Sequence, residues 1–486
     1  MLRSKSYLVW RFLVLALPLP ALLSCASSGP DAADFAKLPA SDVARQTLPA
    51  EDGWGGGTTG GAAARADDIY TVTTRKQFID ALRRSGSSPK IIRVQGTINL
   101  STDDSGRELV EKDYADPAYD FEAYKKAYDP NKWNRQNTVG GRPPKVSGPL
   151  EDARRRSYDR QKHVVQVLIP SNTTIIGVGS DAKIIKGNLY LNFDVENIII
   201  RNIAFEDAFD YFPMWNPEDT FGFAPVTGFA LSGCQADFVD DARGPHRCNG
   251  GRWNGEYDLI SVKGATRVWI DHCSFSDGAR PDKLYPSPFA FPYNQPEQKF
   301  QHHDGALDIT NGSNYVTVSH NHFSNHDKLM LVGGSDNYPS DEGKLKVTIR
   351  HNFFDGIRQR QPLTRYGQVH VYNNLFRGKR DGTGSGFSYA FGLGRQAKLY
   401  SQNNAFEVEG ASVPDLVYHV TPDSALFDQG SLFNGQPADI VNAFNARNSG
   451  AKLSGDPGWK PAGAYKLLPA GEVAGFVLAN QGPGKL

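Results

Sequence analysis

Acidic and basic side chains that could act on an anionic substrate are concentrated in four short stretches of the chain. These stretches are Glu256-Tyr-Asp258, Gln301-His-His-Asp304-Gly-Ala-Leu-Asp308, His326-Asp-Lys328 and Arg358-Gln-Arg360-Gln-Pro-Leu-Thr-Arg365. Carboxylates that are brought close together repel, and each raises the pKa of its neighbours. A hard divalent cation would relieve that repulsion, and a donor set of oxygens alone favours Ca²⁺ or Mg²⁺ over zinc. The pattern therefore indicates a metal–carboxylate site beside a row of cations.

The spacing of Asp304 and Asp308 limits this interpretation, because a straight strand holds residues four apart at about 13 Å. Two carboxylates that share one Ca²⁺ ion must lie within roughly 5 Å of each other. The pair can share an ion only if the chain bends between them, and Gly305 is the position that would allow a bend. From spacing alone, a solvated polar stripe with ordinary salt bridges stays an open alternative.

A repeat in the sequence indicates what could position these groups. Alternating apolar residues predict a strand with one buried face, an Asn or His then suits a tight turn with left-handed backbone, and a Phe opens the next strand. Six segments share this pattern: Ile198–Phe205, Val268–Phe275, Val316–Phe323, Val347–Phe354, Val369–Phe376 and Leu399–Phe406. The Phe positions are 70, 48, 31, 22 and 30 residues apart, which predicts the coils of a parallel β-helix with loops inserted between some of them.

Two other repeat folds fit this pattern less well. A propeller would need antiparallel blades of about 40 residues each, and the leucine spacing of a leucine-rich repeat is absent. In a β-helix, by contrast, groups that are distant in sequence become lateral neighbours about 4.8 Å apart on stacked coils. The ionisable stretches would then form a ladder of carboxylates beside a ladder of cations.

Several blocks of the sequence resemble the signature motifs of the pectate lyases, a family of parallel β-helix polysaccharide lyases. They are Trp269-Ile-Asp-His272, His303-Asp-Gly-Ala-Leu-Asp308, Val316-Thr-Val-Ser319, His326-Asp-Lys328 and Arg360-x-Pro-x-x-Arg365-Tyr-Gly-Gln-Val-His-Val-Tyr-Asn-Asn374. The blocks occur in the order of the family, and the resemblance covers roughly residues 67–410. It implies an all-β fold: a right-handed parallel β-helix with inserted loops and a few short helices.

The resemblance also implies which residues bind a metal. Asp258, Asp304 and Asp308 match the Ca²⁺ ligands of the family. Glu256 matches a position that is a further ligand in some members. The implied cofactor is therefore Ca²⁺.

The basic residues of the motifs match positions that act on the substrate. Lys328 and Arg365 match cations that bind the carboxylates of the sugar chain, and Arg360 matches the arginine assigned as the base. Leu363 departs from the pattern, because many relatives carry a third arginine there. This departure predicts altered substrate binding and leaves the implied base in place.

The reaction that the resemblance implies is β-elimination in polygalacturonate, a (1→4)-α-D-galacturonan. A base removes the proton at C5, α to the carboxylate, and the oxygen at C4 departs, which leaves an unsaturated sugar end. Arginine is an unusual base because its guanidinium is almost always protonated. Neighbouring cations would favour the neutral form of Arg360, so we expect an alkaline activity optimum.

Two other classes of function stay open at this point. A hydrolase on the same scaffold would use a pair of carboxylic acids that flank the scissile bond. A glycan-binding surface protein would need no catalytic residues at all. The ultraviolet absorbance of an unsaturated product distinguishes elimination from both alternatives.

The composition of the 486-residue chain narrows the possible partners. Its 53 basic and 53 acidic residues balance, which argues against an electrostatic binder of nucleic acid. Beyond the N-terminus, no apolar run approaches the roughly 20 residues of a membrane helix. We expect a monomer whose partner is the pectic polysaccharide.

The N-terminus has the features of an export signal, with three basic residues followed by an apolar stretch from Phe12 to Leu23. The run Leu22-Leu23-Ser24-Cys25 resembles a bacterial lipobox, in which the Cys is lipidated and becomes the mature N-terminus. This predicts a lipoprotein signal peptide over residues 1–24 and a flexible tether over 25–66. The exported protein would be held at the outer membrane or cell surface by the lipid on Cys25. The alternative is an ordinary cleaved signal with a chance Cys, which would give a secreted or periplasmic protein.

Residues 67–486 are predicted to form the β-helix, and residues 410–486, which lack the repeat, to cover or cap its C-terminal end. A short helix over Lys76–Leu82 would cap an apolar end, and a second helix is expected over Tyr119–Ala127. Cys234 and Cys248 bracket a polar loop and could form a disulfide in an oxidising export compartment. Cys273 lies in an apolar strand and is expected to be a buried thiol.

Overall fold

The computed structural model describes residues 43–130, 132–133, 145–222, 249–290, 294, 299–381, 386–418, 420–448, 450, 452–463 and 465–486. Within these ranges, most of the chain winds into stacked coils whose strands form three sheets. We call them the site sheet, the back sheet and the lateral sheet. A complete coil passes through them in that order.

The bounds of the strands show this winding; two further strands, β10 (Met214–Gly222) and β11 (Asn249–Asn254), form a separate antiparallel pair. The site sheet consists of β4 (Gln166–Leu168), β7 (Asn188–Leu191), β12 (Ile260–Lys263), β15 (Leu307–Thr310), β18 (Leu331–Val332), β21 (Leu363–Thr364), β24 (Phe391–Leu393) and β27 (Val417–Tyr418). The back sheet consists of β1 (Ile69–Val72), β2 (Lys90–Val94), β5 (Thr173–Gly177), β8 (Glu196–Arg201), β13 (Thr266–Asp271), β16 (Asn314–Ser319), β19 (Lys346–Arg350), β22 (Gln368–Tyr372), β25 (Lys398–Gln402) and β28 (Ala425–Gln429). The lateral sheet consists of β3 (Thr97–Asn99), β6 (Lys183–Ile185), β9 (Ala204–Glu206), β14 (Ser274–Ser276), β17 (His322–Ser324), β20 (Phe353–Asp355), β23 (Leu375–Lys379), β26 (Ala405–Glu409), β29 (Leu432–Phe433) and β30 (Gln436–Pro437).

All six segments of the sequence repeat form a back-sheet strand, a two-residue turn and a lateral strand, as the pattern predicts. Val316–Phe323, for example, runs from β16 into β17, and both strands pair in parallel with the next coil. The first turn residue has a positive φ between 46° and 58° in every segment: Asn202, His272, His320, His351, Asn373 and Asn403. Asn and His tolerate this left-handed backbone better than most side chains. The predicted parallel β-helix is confirmed.

Stacked side chains hold the coils together. The repeat Phe residues form one column inside the helix, with ring centroids 4.5–5.3 Å apart along the six coils. The second turn residue forms a buried asparagine ladder: Asn321 donates its backbone and side-chain N–H to the side-chain oxygen of Asn352, and Asn352 does the same to Asn374. The ladder satisfies polar groups that burial would otherwise leave unpaired, which would be costly.

Six α-helices lie around the coils in the part of the chain that the structure describes. They are α1 (Arg75–Arg83), α2 (Glu111–Tyr114), α3 (Phe121–Ala127), α4 (Pro149–Val165), α5 (Ile440–Arg447) and α6 (Ala470–Asn480). The first and third match the two helices that the sequence predicts, whereas α4 was not anticipated. No helix in the described ranges has both the length and the apolar character that a membrane crossing requires.

Both ends of the apolar interior are covered by helices. Phe78 and Leu82 of α1 join the main core at the N-terminal end, and Ile440 and Phe444 of α5 join it at the C-terminal end. Because an open end would expose a layer of apolar side chains to water, such caps are expected in a solenoid. The predicted capping role of the first helix is confirmed.

The expected tether over 25–66 is wrong for its second half, because residues 43–66 pack on the outer face of the back sheet. Leu48 is 1% exposed and contacts Ile199 and Trp269. The backbone N–H of Gly55 donates to the Thr317 hydroxyl at 3.0 Å. The small residues that suggested flexibility instead permit close approach: a Cβ on Gly61 would lie 1.9 Å from the carbonyl oxygen of Lys90.

The expected boundary at residue 410 is also misplaced, because β27, β28 and β29 form one further coil. The repeat is hidden there because Gly430, with a φ of 76°, replaces the turn Asn, although Phe433 still pairs with Phe406. The remaining residues behave as the predicted cover. Val473 and Val477 of α6 pack on Phe353, Leu375 and Ala405, on the outside of the lateral sheet.

Candidate active site

Three aspartates of two consecutive coils meet at the start of the site-sheet strands. Asp258 precedes β12, whereas Asp304 precedes β15 and Asp308 lies within it. The backbone N–H of Gly305 donates to Asp258 Oδ1 at 2.9 Å, and the N–H of Leu331 donates to Asp308 Oδ1 at 2.9 Å. The carboxylates are thus held by main-chain donors of the next coil.

Gly305 is the point at which the carboxylates come together. A Cβ at this position would lie 2.6 Å from Asp308 Oδ1 and 2.8 Å from Asp258 Oδ1. Any other residue would therefore fill the space between the two carboxylates. The sequence predicts that a bend at Gly305 brings Asp304 and Asp308 together; in the structure Gly305 lies between the carboxylates of Asp258 and Asp308.

The electrostatics of the three carboxylates differ. Burial and the nearby charge of Asp304 raise the pKa of Asp308 to about 6. Burial and the charges of both other aspartates raise the pKa of Asp258 well above its usual range. Burial acts in the same direction on Asp304, but the neighbouring Lys328 outweighs it and holds the pKa of Asp304 below the usual range. The cluster therefore carries negative charge that the protein neutralises only in part.

Glu256 lies beside the cluster, in contact with a cation from α4. Its carboxylate is 3.4 Å from Arg154 Nη1, and Arg154 is also paired with Glu151 at 2.9 Å. Burial raises the pKa of Glu256 in spite of Arg154. No sequence pattern marks Arg154 as a site residue, because nothing in a helix of mixed charge shows which residue faces the site.

The cations stack on the coils that follow. Lys328 Nζ donates to Asp304 Oδ1 at 2.8 Å, and its side chain is only 3% exposed. Arg360 lies one coil further on, where Met330 N donates to its carbonyl oxygen. It has a φ of 62°, and its Nε is buried without a hydrogen-bond partner among the described residues. Asp304, Lys328 and Arg360 thus come from three successive coils, as the ladder predicted.

Arg365 and Leu363 occupy the same coil as Arg360. Arg365 Nη1 donates to the carbonyl oxygen of Gly333 at 3.1 Å, and its Nε is 3.3 Å from Asp336. Burial lowers the pKa of Arg365. Leu363 is buried, at 5% exposure, and pairs with Leu331; its side chain lies on the face of the sheet opposite the core residue Val332, which pairs with the neighbouring Thr364. The departure from the family motif therefore lies on the face of the sheet that carries the site.

Buried histidines support the loops that carry the carboxylates. His326 contacts Asp277 at 2.5 Å and the carbonyl oxygen of Asp304 at 3.0 Å. His303 lies 2.8 Å from Asp282 and 3.2 Å from Asp207. Burial lowers the pKa of both histidines, but the aspartates outweigh it and raise the pKa above the usual value. These aspartates escaped the sequence analysis because each is far from its histidine in the chain.

A second cluster, on the far side of the coils, is structural. Asp271, His272 and His320 bring their ligand atoms within 4.8 Å of one another. However, Arg201 Nη2 already contacts Asp271 at 2.7 Å, and Ser319 donates to it at 2.6 Å. A guanidinium in the cluster neutralises the charge that a metal would need.

The predictions for the four cysteines have separate outcomes. Cys25, Cys234 and Cys248 lie outside the described residues, so lipidation and the disulfide stay predictions. Cys273 is a free, buried thiol, as expected.

Comparison with known proteins gives a consistent result. A sequence model described as "Pectate lyase" matches residues 38–124, 146–220 and 245–452. The pectate lyase of Bacillus subtilis (strain 168) is 41% identical over 451 residues, which cover 92% of this chain and 95% of that protein. Pectate lyase E of Dickeya chrysanthemi is 31% identical over 452 residues, which cover 91% and 88%.

Solved structures agree with these relatives. A pectate lyase bound to a hexasaccharide is 40% identical and superposes with a TM-score of 0.77, covering 92% of this chain and 100% of that one. The pectate lyase from Acidovorax avenae subsp citrulli is 35% identical with a TM-score of 0.77, covering 91% and 96%. Together with the coils and the ladder of aspartates, lysine and arginines described above, these matches show that the chain belongs to the pectate lyase family and is a polysaccharide lyase with a parallel β-helix fold.

Proposed function

We propose that the protein is a calcium-dependent pectate lyase that cleaves the (1→4)-α-D-galacturonan chain of polygalacturonate by β-elimination. The products would be unsaturated oligogalacturonides. The observation that carries this proposal is the position of Arg360, one coil from Lys328 and two coils from Asp304, with a buried Nε that lacks a partner among the described residues. A guanidinium with an unpaired N–H group beside buried carboxylates is available to bind an anionic substrate.

The donor set fits calcium. Asp258, Asp304 and Asp308 offer only oxygens. Burial and then the charge of neighbouring aspartates raise the pKa of Asp258 and Asp308, and a hard cation would offset both effects. These three residues, with Glu256, would hold the ion. When bound, Ca²⁺ would withdraw electron density from the substrate carboxylate and so acidify the hydrogen at C5.

The remaining chemistry falls to the basic residues. Lys328 and Arg365 would bind and orient uronate carboxylates, for which the planar guanidinium of arginine is well suited. Arg360 would be the base that takes the proton from C5. The electrons of the C5–H bond then form a double bond between C4 and C5, the bond from C4 to the glycosidic oxygen breaks, and that oxygen takes a proton from water.

The direct test uses purified protein and polygalacturonate, with the ultraviolet absorbance of the unsaturated product as the readout. Product should accumulate, stop on addition of a calcium chelator, and resume when Ca²⁺ is restored in excess. Cleavage without this absorbance would indicate a hydrolase, and binding without cleavage would indicate a glycan-binding protein.

For localisation, we propose an exported lipoprotein at the outer membrane or cell surface, anchored through Cys25. The lipobox-like run Leu22–Cys25 supports it. Parent and Cys25→Ala cells are fractionated: only the parent protein should be found with the membranes.

We also propose that the protein is a monomer, because one chain supplies every group of the site. The mass of the protein in solution tests this proposal.

A further inference from the structure

A cavity lies at the N-terminal end of the site sheet, away from the aspartates. Its volume is about 860 Å³, and it is lined by α1, the end of α4, β4 and the loop after β7. Nothing in the reaction described above uses it.

Strand register connects this cavity with the active site. Leu168, which lines the cavity, pairs with Tyr190, which pairs with Ser261, and Ser261 pairs with Asp308. Because neighbouring strands lie about 4.8 Å apart, Leu168 is about 14 Å from Asp308 along the axis of the helix. A linear polymer that covers the aspartates and follows the coils would reach the cavity after a few sugar residues.

The cavity combines apolar surface with positive charge. Leu168 and Phe193 are 62% and 51% exposed, although both are large apolar side chains. Arg75, Arg83 and Lys162 also line it, against the single carboxylate of Asp159. A galacturonate residue has a face of C–H groups and a carboxylate at its edge, and this lining complements both features.

Further cations extend from the cavity to the site. Lys162 lies close enough to Glu256 to interact electrostatically with its carboxyl group. Lys263 lies over the ring of Tyr190, with its Nζ 5.8 Å from the ring centroid. Its charge also interacts electrostatically with Asp304 and Asp308. Positive charge therefore continues along the register from the cavity to the carboxylates.

We propose that this cavity is a distal binding site for the polyuronate chain, several sugar residues from the bond that is cleaved. It would bind carboxylates through Arg83 and Lys162 and a sugar face through Phe193. Long chains would occupy both this site and the active site, and so gain affinity over short ones. The proposal rests on the proposed function, because it takes the same polymer as its ligand.

The test compares long polygalacturonate with trigalacturonate, which is too short to fill the active site and the cavity together. The variants are Arg83→Glu and Phe193→Ala, at exposed side chains whose replacement does not disturb the core. Each should lower the ratio of kcat/KM on the long chain to kcat/KM on trigalacturonate about tenfold, mainly through KM on the long chain. Arg83→Lys should restore most of the ratio, since it keeps the charge.

The control is Lys460→Ala, which removes a cation from an exposed residue outside the cavity and should leave the ratio as it is in the parent. A ratio unchanged in Arg83→Glu and Phe193→Ala, with an active parent, overturns the distal site. A parent protein that forms no unsaturated product from either substrate overturns the proposed function instead.

Discussion

Lys328 donates a 2.8 Å hydrogen bond to Asp304, so a cation expected to bind substrate is paired with a carboxylate expected to bind metal. The ammonium group of Lys328 therefore competes with Ca²⁺ for the carboxylate of Asp304. Binding of Ca²⁺ and binding of a uronate carboxylate by Lys328 should therefore favour each other, because each requires this pair to loosen.

Replacing Lys328 by Met should increase the dependence of stability on calcium. Without the ammonium, Asp304 adds an unpaired charge to the cluster. In the presence of a chelator we expect the free energy of unfolding to fall by about 1–3 kcal/mol, a modest loss because Asp304 is partly exposed. Excess Ca²⁺ should recover more of the free energy of unfolding than in the parent. Thermal unfolding with chelator and with Ca²⁺ measures both effects.

The matched control is Lys299→Met, which removes a lysine paired with Asp327 at 3.3 Å, outside the three aspartates. It should destabilise the protein without enlarging the response to Ca²⁺. An equal response to Ca²⁺ in both variants would contradict the pairing argument.

Arg360→Lys should lower kcat by about 10²–10⁴, the usual contribution of a positioned base. Polygalacturonate binding should change little, because the positive charge remains. Initial rates and equilibrium binding measure the two properties separately. Arg358→Lys alters a neighbouring arginine that pairs with Asp327 and should keep most of the activity. Near-normal turnover by Arg360→Lys would exclude Arg360 as the base.

Leu363→Arg should lower KM for unesterified polygalacturonate. The side chain leaves the sheet on the site face, in the row that follows Asp308 and Leu331, so an arginine there would add a cation close to the substrate carboxylates. Leu363→Met, which adds no charge, is the control and should leave KM unchanged. Steady-state kinetics of both variants test the role of this departure from the motif.

Asp271→Asn should destabilise the protein by about 3–5 kcal/mol near pH 7, because it leaves the buried guanidinium of Arg201 without its carboxylate. Burial raises the pKa of Asp271, but His272, His320 and Arg201 outweigh it and hold the pKa well below its usual value of 3.8. The stabilisation is therefore complete above about pH 4 and is lost as the pH falls further.

Denaturant unfolding from pH 7 to pH 3 should show a constant difference between Asp271→Asn and the parent that shrinks only at the acidic end. Asp52→Asn is the comparison, since Asp52 pairs with Arg350 but is partly exposed, and its effect should be smaller. A difference that grows as the pH falls would contradict the assignment.

Leu48→Ala tests whether residues 43–66 belong to the folded domain. Leu48 is buried against the back sheet, so truncation should cost about 2–5 kcal/mol. The same truncation in a flexible tether would leave the free energy of unfolding unchanged. Leu478→Ala, at a side chain that is 40% exposed, serves as the control. Thermal unfolding of the parent and of both variants measures the loss of stability.

Much of the fold could be read from local patterns. The alternation of apolar residues, the turn Asn or His and the inward Phe act within eight residues, so each repeat predicted its own strand–turn–strand unit. The extra coil near residue 425 and the packed segment over 43–66 could not be read in this way. Short strands and Gly-rich contacts carry no periodic signal, and their structure depends on the sheets that they contact.

The sequence by itself determined the kinds of groups available: aspartates, lysine and arginine on neighbouring coils, with a glycine between two carboxylates. Only the tertiary structure decided that Lys328 pairs with Asp304, that Arg154 reaches Glu256, and that the cavity beside Leu168 is in register with Asp308. The reason is geometric. Lateral neighbours in a parallel β-helix depend on the number of loop residues between successive strands. That number varies along the chain, and no local sequence pattern indicates it.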